Sequence, residues 1–178
     1  EPGIPFEQLI SYMQDAAKGL DFLNQPQHDL GSGPIAIQHC DVKPANIVTI
    51  GNSAMICDFG LAKILSRNQA TATSAAGTPA YMAPEQLLRG ETSVQSDLYS
   101  LGLILFELFT AQYAHPSGST SDLIKLHKTE SGPVRPSDIF EEIDPAVDAA
   151  VRRCLDADPG SRPNNAATVA ALLTLGKQ

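Results

Sequence analysis

The stretch from Asp97 to Ala111, DLYSLGLILFELFTA, most constrains what this chain can become. Its apolar residues cover most of the circumference of a helix, and a helix apolar on nearly all sides must be enclosed. The expectation is a buried central helix from 97 to about 111, with Ser96 or Asp97 as its cap. Other helices must surround it. Pro5 suits a first helical position, and Phe6, Leu9, Ile10, Met13, Ala17, Leu20 and Leu23 recur at helical spacing, so 5–24 reads as an amphipathic helix with one buried face. A short helix after Ala83-Pro84-Glu85 and helices near 120–129, 145–155 and 164–175 complete a mainly α body. The length of 178 residues fits one domain, 1–178, with a sizeable core. No internal repeat is visible.

The remaining segments read as connections and one hairpin. Residues 25–36 carry Pro26, Gly31, Gly33 and Pro34 and read as a loop. Ile47-Val48-Thr49-Ile50, a turn at Gly51-Asn52, and Ala54-Met55-Ile56-Cys57 read as a short β-hairpin. It would carry Asn46 at one end and Asp58 at the other. Residues 66–78 are rich in Ala, Ser and Thr and are expected to form a mobile loop. The net charge of -8 argues against nucleic acid or an anionic membrane as a partner for the surface as a whole. The most apolar run, Leu101 to Phe109, contains Glu107 and is too short to span a bilayer. Cys40, Cys57 and Cys154 are too few and scattered for a disulfide framework. They are expected to be reduced thiols of a cytoplasmic domain, although a membrane anchor elsewhere in a longer parent chain is compatible with this. Gly31-Ser32-Gly33-Pro34-Ile35-Ala36 imitates a dinucleotide-binding fingerprint, but no strand precedes it and Pro34 lacks the N–H that a phosphate would need. His28, His115 and His127 sit in loops or on a polar helix face without companion metal ligands.

Chemistry concentrates in His39-Cys40-Asp41-Val42-Lys43-Pro44-Ala45-Asn46 and in Asp58-Phe59-Gly60. A carboxylate two residues before a lysine can align an acceptor hydroxyl, so Asp41 is the candidate base. Lys43 can offset charge on a phosphoryl group in transfer. Asn46 offers a neutral oxygen and Asp58 a charged one, a donor pair suited to a hard cation such as Mg²⁺.

With Gly77-Thr78-Pro79-Ala80-Tyr81-Met82-Ala83-Pro84-Glu85 following in order, these motifs resemble the catalytic loop, metal-binding element and activation segment of a protein kinase. The resemblance covers essentially the whole chain and is to the large, C-terminal lobe alone. It implies a mainly α kinase-like lobe in which the short hairpin carries the catalytic and metal-binding loops. It implies transfer of the ATP γ-phosphate, with Mg²⁺, to Ser/Thr hydroxyls of protein substrates. Asp41, Lys43 and Thr78 would be catalytic. Lys43, Asn46, Val48 and Asp58 would hold the nucleotide, and Asn46 and Asp58 the metal. Thr78 would bridge base and lysine as in Ser/Thr kinases, and the position of Lys43 points the same way. His39 would pack beneath Phe59, and Val48 would floor the adenine with Ile104 and Leu108 behind it; all four apolar residues also read as ordinary core. Asp97 would hold backbone N–H groups of the catalytic loop. Glu85 and Arg162, the latter in Asp158-Pro159-Gly160-Ser161-Arg162-Pro163, would form a buried pair.

Two departures stand out. Cys40 replaces the arginine usual before the catalytic Asp, so the chain resembles the non-RD subset, and phosphate on Thr71, Thr73 or Ser74 would lack that grip. Cys57 should lie near the nucleotide as a small buried hydrophobe. No glycine-rich loop with its lysine occurs upstream of residue 39. The expectation is therefore a fragment that needs a missing small lobe as partner and has little activity alone. A pseudokinase-type scaffold is the alternative. A small-molecule phosphotransferase shares the H-x-D-x-x-x-x-N loop but lacks the segment from Gly60 to Glu85.

Overall fold

The computed structural model of the chain describes residues 4–29, 31, 33–65, 78–115, 120–128 and 134–175. Most of the expected mobile loop, with Thr71, Thr73 and Ser74, lies outside them. Helix α3, Val94–Thr110, is the centre: Leu98, Tyr99, Leu101, Leu103, Ile104, Leu105 and Phe106 are all buried. Each such side chain contributes about 1.5–3 kcal/mol of burial. The helix starts three residues before the expected cap. Ser93 is the N-cap, its hydroxyl accepting from Ser96 N while Ser96 Oγ accepts from Ser93 N, and Ala111 ends the helix in a left-handed conformation.

Helix α1, Phe6–Asn24, buries Ile10, Met13, Ala17 and Leu20 on one face, as its spacing predicts, with Pro5 just before it as the N-cap residue. It packs on α7, Ala166–Leu175, which in turn packs on α6, Pro145–Cys154. Helix α6 lies across α3 so closely that a Cβ on Gly102 would stand 2.5 Å from Cys154 Cβ. Burial in that contact pushes the Cys154 thiol up to about 12, against the opposing pull of the Arg162 and Arg153 charges, and makes it inert. Short helices α2, Pro84–Arg89, and α5, Pro136–Ile139, and the helix α4, Thr120–Lys128, complete the helical body.

Strands are short and all antiparallel. The segment expected to be a loop contains β1, His28–Asp29, and the start of β2, Pro34–Gln38. Strand β2 also pairs with β5, Lys63–Leu65, with Ile37 opposite Ile64. The hairpin is β3, Ile47–Ile50, against β4, Ser53–Ile56, in the register Val48 opposite Met55. Gly51 takes a φ of 59° at the first turn position, which glycine adopts freely. The hairpin is tied to α1 by Tyr12 Oη donating to Gly51 O at 2.8 Å and by Ala54 N donating to Asp15 at 3.3 Å. No helix among the described residues is long and apolar enough to cross a membrane.

Candidate active site

The loop after β2 is built on α3. Asp97, 1 % exposed in the first turn of that helix, accepts His39 N on one oxygen and Cys40 N on the other, each at 2.9 Å. Two charge-assisted bonds hold a backbone that needs holding, since Cys40 sits at φ 68°, where an L side chain is strained. Gln38 adds a third tether by donating to Ser93 O at 2.6 Å.

His39 is fully buried and bridges the loop to the far end of the hairpin. Its Nε2 lies 3.0 Å from Cys57 O, and its Nδ1 accepts from Asp41 N at 3.3 Å. That pattern makes Nε2 the protonated nitrogen of a neutral ring. Burial lowers its pKa, partly offset by the bond to Cys57 O and by the charges of Asp41 and Asp58. The Phe59 ring stands 5.3 Å from the imidazole, centroid to centroid.

Around Asp41 the side chains converge. Lys43 Nζ lies 2.7 Å from Asp41 Oδ2 and donates to Thr78 Oγ1 at 3.1 Å. Asn46 Nδ2 donates to Asp41 O at 2.9 Å and to Oδ2 at 3.3 Å. Thr78 N makes a longer contact of 3.3 Å to Oδ1. Oδ2 is therefore engaged by a cation and an amide, while Oδ1 keeps capacity for an incoming hydroxyl. The lysine and the carboxylate are 22 % and 11 % exposed, so the pair opens onto the surface without being fully solvated.

Asp58 does not join this cluster through any hydrogen bond. It sits at φ 62°, exposed, and accepts Gly60 N at 3.2 Å. Cys57 N donates to Asn46 O at 2.9 Å, which brings Asp58 and Asn46 to the same mouth of the hairpin. Among the described residues no three His, Cys, Asp or Glu side chains form a metal cage. The oxygens present suit a different arrangement. Asn46 uses its amide nitrogen on Asp41, leaving the amide oxygen as its other polar end, and Asp58 has one oxygen without a hydrogen bond among the described residues. One neutral and one charged oxygen, completed by phosphate and water, is how Mg²⁺ is commonly held.

Of the four apolar residues also read as core, Ile104 alone is buried. Val48, Phe59 and Leu108 are 42 %, 48 % and 36 % exposed. The outer face of the hairpin is apolar, with Met55 and Ile50 beside Val48. Cys57 is half-buried.

Further along, Arg162 meets Glu85 in a bidentate pair at 2.7 and 2.9 Å, their side chains 0 % and 5 % exposed. The other guanidinium protons go to Asp156 O, Gln95 O and Ala157 O, and the group lies 4.7 Å above the Tyr99 ring. This ties α2 to the start of α3 and to the turn before α7. The Tyr99 hydroxyl meets His115 Nε2 at 2.9 Å, and His115 is buried. A second contact escaped the sequence: Tyr81 Oη donates to Glu107 Oε2 at 2.6 Å. The signal was a lone carboxylate interrupting the apolar run of α3.

Sequence comparisons fit this geometry. The profile of the family described as protein kinase domain matches residues 3–172. Serine/threonine-protein kinase PknB of Mycobacterium leprae is 33% identical over 171 residues, covering 94% of this chain and 26% of that protein. PknB of Mycolicibacterium smegmatis is 37% identical over 169 residues, covering 92% and 25%. Dual specificity protein kinase shkC of Dictyostelium discoideum is 30% identical over 177 residues, covering 95% and 32%. The chain thus spans about a quarter to a third of the length of these relatives.

Proposed function

The chain belongs to the protein kinase domain family, and on that premise we propose that it is the large, C-terminal lobe of a non-RD Ser/Thr kinase that phosphorylates protein hydroxyls. The observation that carries this is Lys43 Nζ set between Asp41 Oδ2 and Thr78 Oγ1, at 2.7 and 3.1 Å. A base, a cation and a bridging hydroxyl are thereby in direct contact before any ligand arrives, which is the kind of preorganisation that phosphoryl transfer uses. Magnesium–ATP, when bound, supplies the phosphoryl group and a cation that offsets its charge. Asp41 orients the acceptor hydroxyl at Oδ1 and takes its proton. Lys43 holds Oδ2 in place and puts positive charge beside the transfer path. Asn46 and Asp58 would hold the Mg²⁺, and Val48 the underside of the adenine.

Cys40 stands where a phosphate-gripping arginine would be, so control by a phosphorylated loop would need another receiver. The exposed apolar face of Val48, Ile50, Met55 and Phe59 suits a small lobe closing over the nucleotide, and without that lobe the chain should turn over poorly. The domain is read as cytoplasmic, a reading that the three free thiols support.

The deciding experiment is phosphotransfer from Mg-ATP to a generic Ser/Thr protein substrate by the lobe joined to its small lobe, wild type against Asp41→Ala. Transfer lost in the variant supports the assignment. Equal transfer by both would remove Asp41 from the mechanism. Mg-dependent ATP binding without transfer in either would leave a scaffold of pseudokinase type.

A further inference from the structure

Arginine is used unevenly on this chain. The net charge is -8, and Arg89 and Arg162 each donate to a carboxylate at 2.7 Å. Arg135 and Arg152 do not. Among the described residues Arg135 forms no ion pair, and Arg152 has only Asp148, 4.0 Å away and beyond hydrogen-bond reach. Both arginines line one cavity of about 150 Å³, together with Val134, Pro136, Val151 and Leu155. None of these residues belongs to the cluster around Asp41, Lys43 and Thr78.

The cavity stands on the core. Val151 and Pro136 are buried, and Leu155 is so close to α3 that a Cβ on Gly102 would lie 3.0 Å from its Cδ2. Pro136 restricts the residue before it to extended backbone, and Arg135 sits there at φ -73° and ψ 142°. Arg135 N also donates to Asp138 Oδ2 at 3.3 Å. Asp148 accepts Ser137 N at 3.0 Å on one oxygen, which ties α6 to α5. Two arginine stems therefore rise from fixed backbone on separate elements, over an apolar floor, with Val134 as an edge that is 51 % exposed. Like charges sharing one cavity repel, and an anion between them removes that cost. Guanidinium forks match phosphate oxygens two at a time, and a phosphorylated side chain carries a charge of about -1.5 to -2. A water takes about 30 Å³ of liquid, so the cavity has room for a group of about five heavy atoms, the size of a phosphoryl group. The floor and Val134 offer an aliphatic neighbour somewhere to pack, which a free ion would leave unused. The negative charge of the whole chain works against an anionic membrane. A phosphorylated peptide satisfies both the arginines and the floor.

We propose that this cavity binds a phosphoserine or phosphothreonine flanked by an aliphatic residue, and so holds the enzyme on proteins that are already phosphorylated. This rests on the kinase reading above for the source of the phosphorylated residues. The lobe joined to its small lobe is titrated, without nucleotide, into a fluorescein-labelled alanine-rich peptide that carries one phosphothreonine followed by leucine. Fluorescence anisotropy reads the binding, with the unphosphorylated twin as control. The phosphopeptide should bind about tenfold more tightly than its twin. Arg135→Gln combined with Arg152→Gln should bring that ratio near one with the urea midpoint unchanged, since both side chains are exposed. Serine in place of the leucine should weaken binding about fivefold. Equal binding of the twins, or a ratio that survives the double substitution, overturns the proposal. Capture of phosphatidylserine vesicles in preference to the peptide overturns it in favour of a membrane site. Displacement of the peptide by an equal concentration of inorganic phosphate overturns it in favour of a bare anion site. Failure of the same protein to transfer phosphate from Mg-ATP overturns the kinase reading instead, and the binding ratio still decides the role of the cavity.

Discussion

Glu85→Gln keeps the shape of the buried pair and deletes its negative charge. Arg162, whose side chain is 0 % exposed, then keeps its bonds to Asp156 O, Gln95 O and Ala157 O and its place over Tyr99, but loses the only carboxylate it touches among the described residues. An uncompensated buried charge costs about 3–5 kcal/mol. The three carbonyls and the ring, the latter worth about 0.5–2 kcal/mol, stay with the cation and keep the loss near 3 kcal/mol. Arg162→Met is worse, about 5 kcal/mol, because it strands Glu85 without its two strongest donors and also orphans those carbonyls. The double variant should cost less than Arg162→Met alone, since Glu85→Gln removes the charge that Arg162→Met leaves stranded. Against a total of about 5–15 kcal/mol, each is a large fraction. Urea unfolding should show lowered midpoints at constant slope, and melting temperatures about 6–20 °C lower. A loss below about 1 kcal/mol for Glu85→Gln, which is what an exposed ion pair gives, would refute the reasoning, as would strict additivity in the double variant.

Two further outcomes follow from the loop anchors. Asp97→Asn leaves a single acceptor oxygen where two backbone N–H groups point, so one of His39 and Cys40 loses its bond at a site 1 % exposed. A loss of about 1–3 kcal/mol and faster amide exchange at one of those two residues are expected, and unchanged exchange at both would count against the anchor. His39 has a lowered pKa, so the folded state resists its protonation: the stability it contributes is fully present above the unfolded value of about 6.5 and is lost as pH falls below it. A proton on Nδ1 would also face the Asp41 N–H. Urea midpoints at neutral and mildly acid pH should therefore diverge in the wild type more than in His39→Asn, and parallel pH profiles would contradict the neutral-ring assignment.

The parts of this protein legible in its sequence are those written in local spacing. The seven-residue rhythm of Ile10, Met13, Ala17 and Leu20 marks α1 within a residue, because one helix face suffices to define it. The start of α3 was misplaced because Asp97 resembles a cap by type and position, yet its two oxygens are taken by a loop 57 and 58 residues away. Strands β1 and β2 were hidden by Gly31, Gly33 and Pro34, since what makes β2 a strand is partly its pairing with β5, which no window around Ile37 contains. The site behaves likewise. Asp41, Lys43 and Asn46 are neighbours in sequence and in space, whereas Thr78 arrives from 35 residues away, and family resemblance rather than spacing pointed to it. Hydrophobicity misled at Val48, Phe59 and Leu108, which read as core and are exposed. An apolar side chain announces that it will be covered, but not by what. In the described residues these three are left uncovered around the hairpin mouth and the end of α3. Val48 and Phe59 lie beside the hairpin mouth, where the proposed chemistry would seat a nucleotide, so at these two residues the core reading fails next to the proposed site.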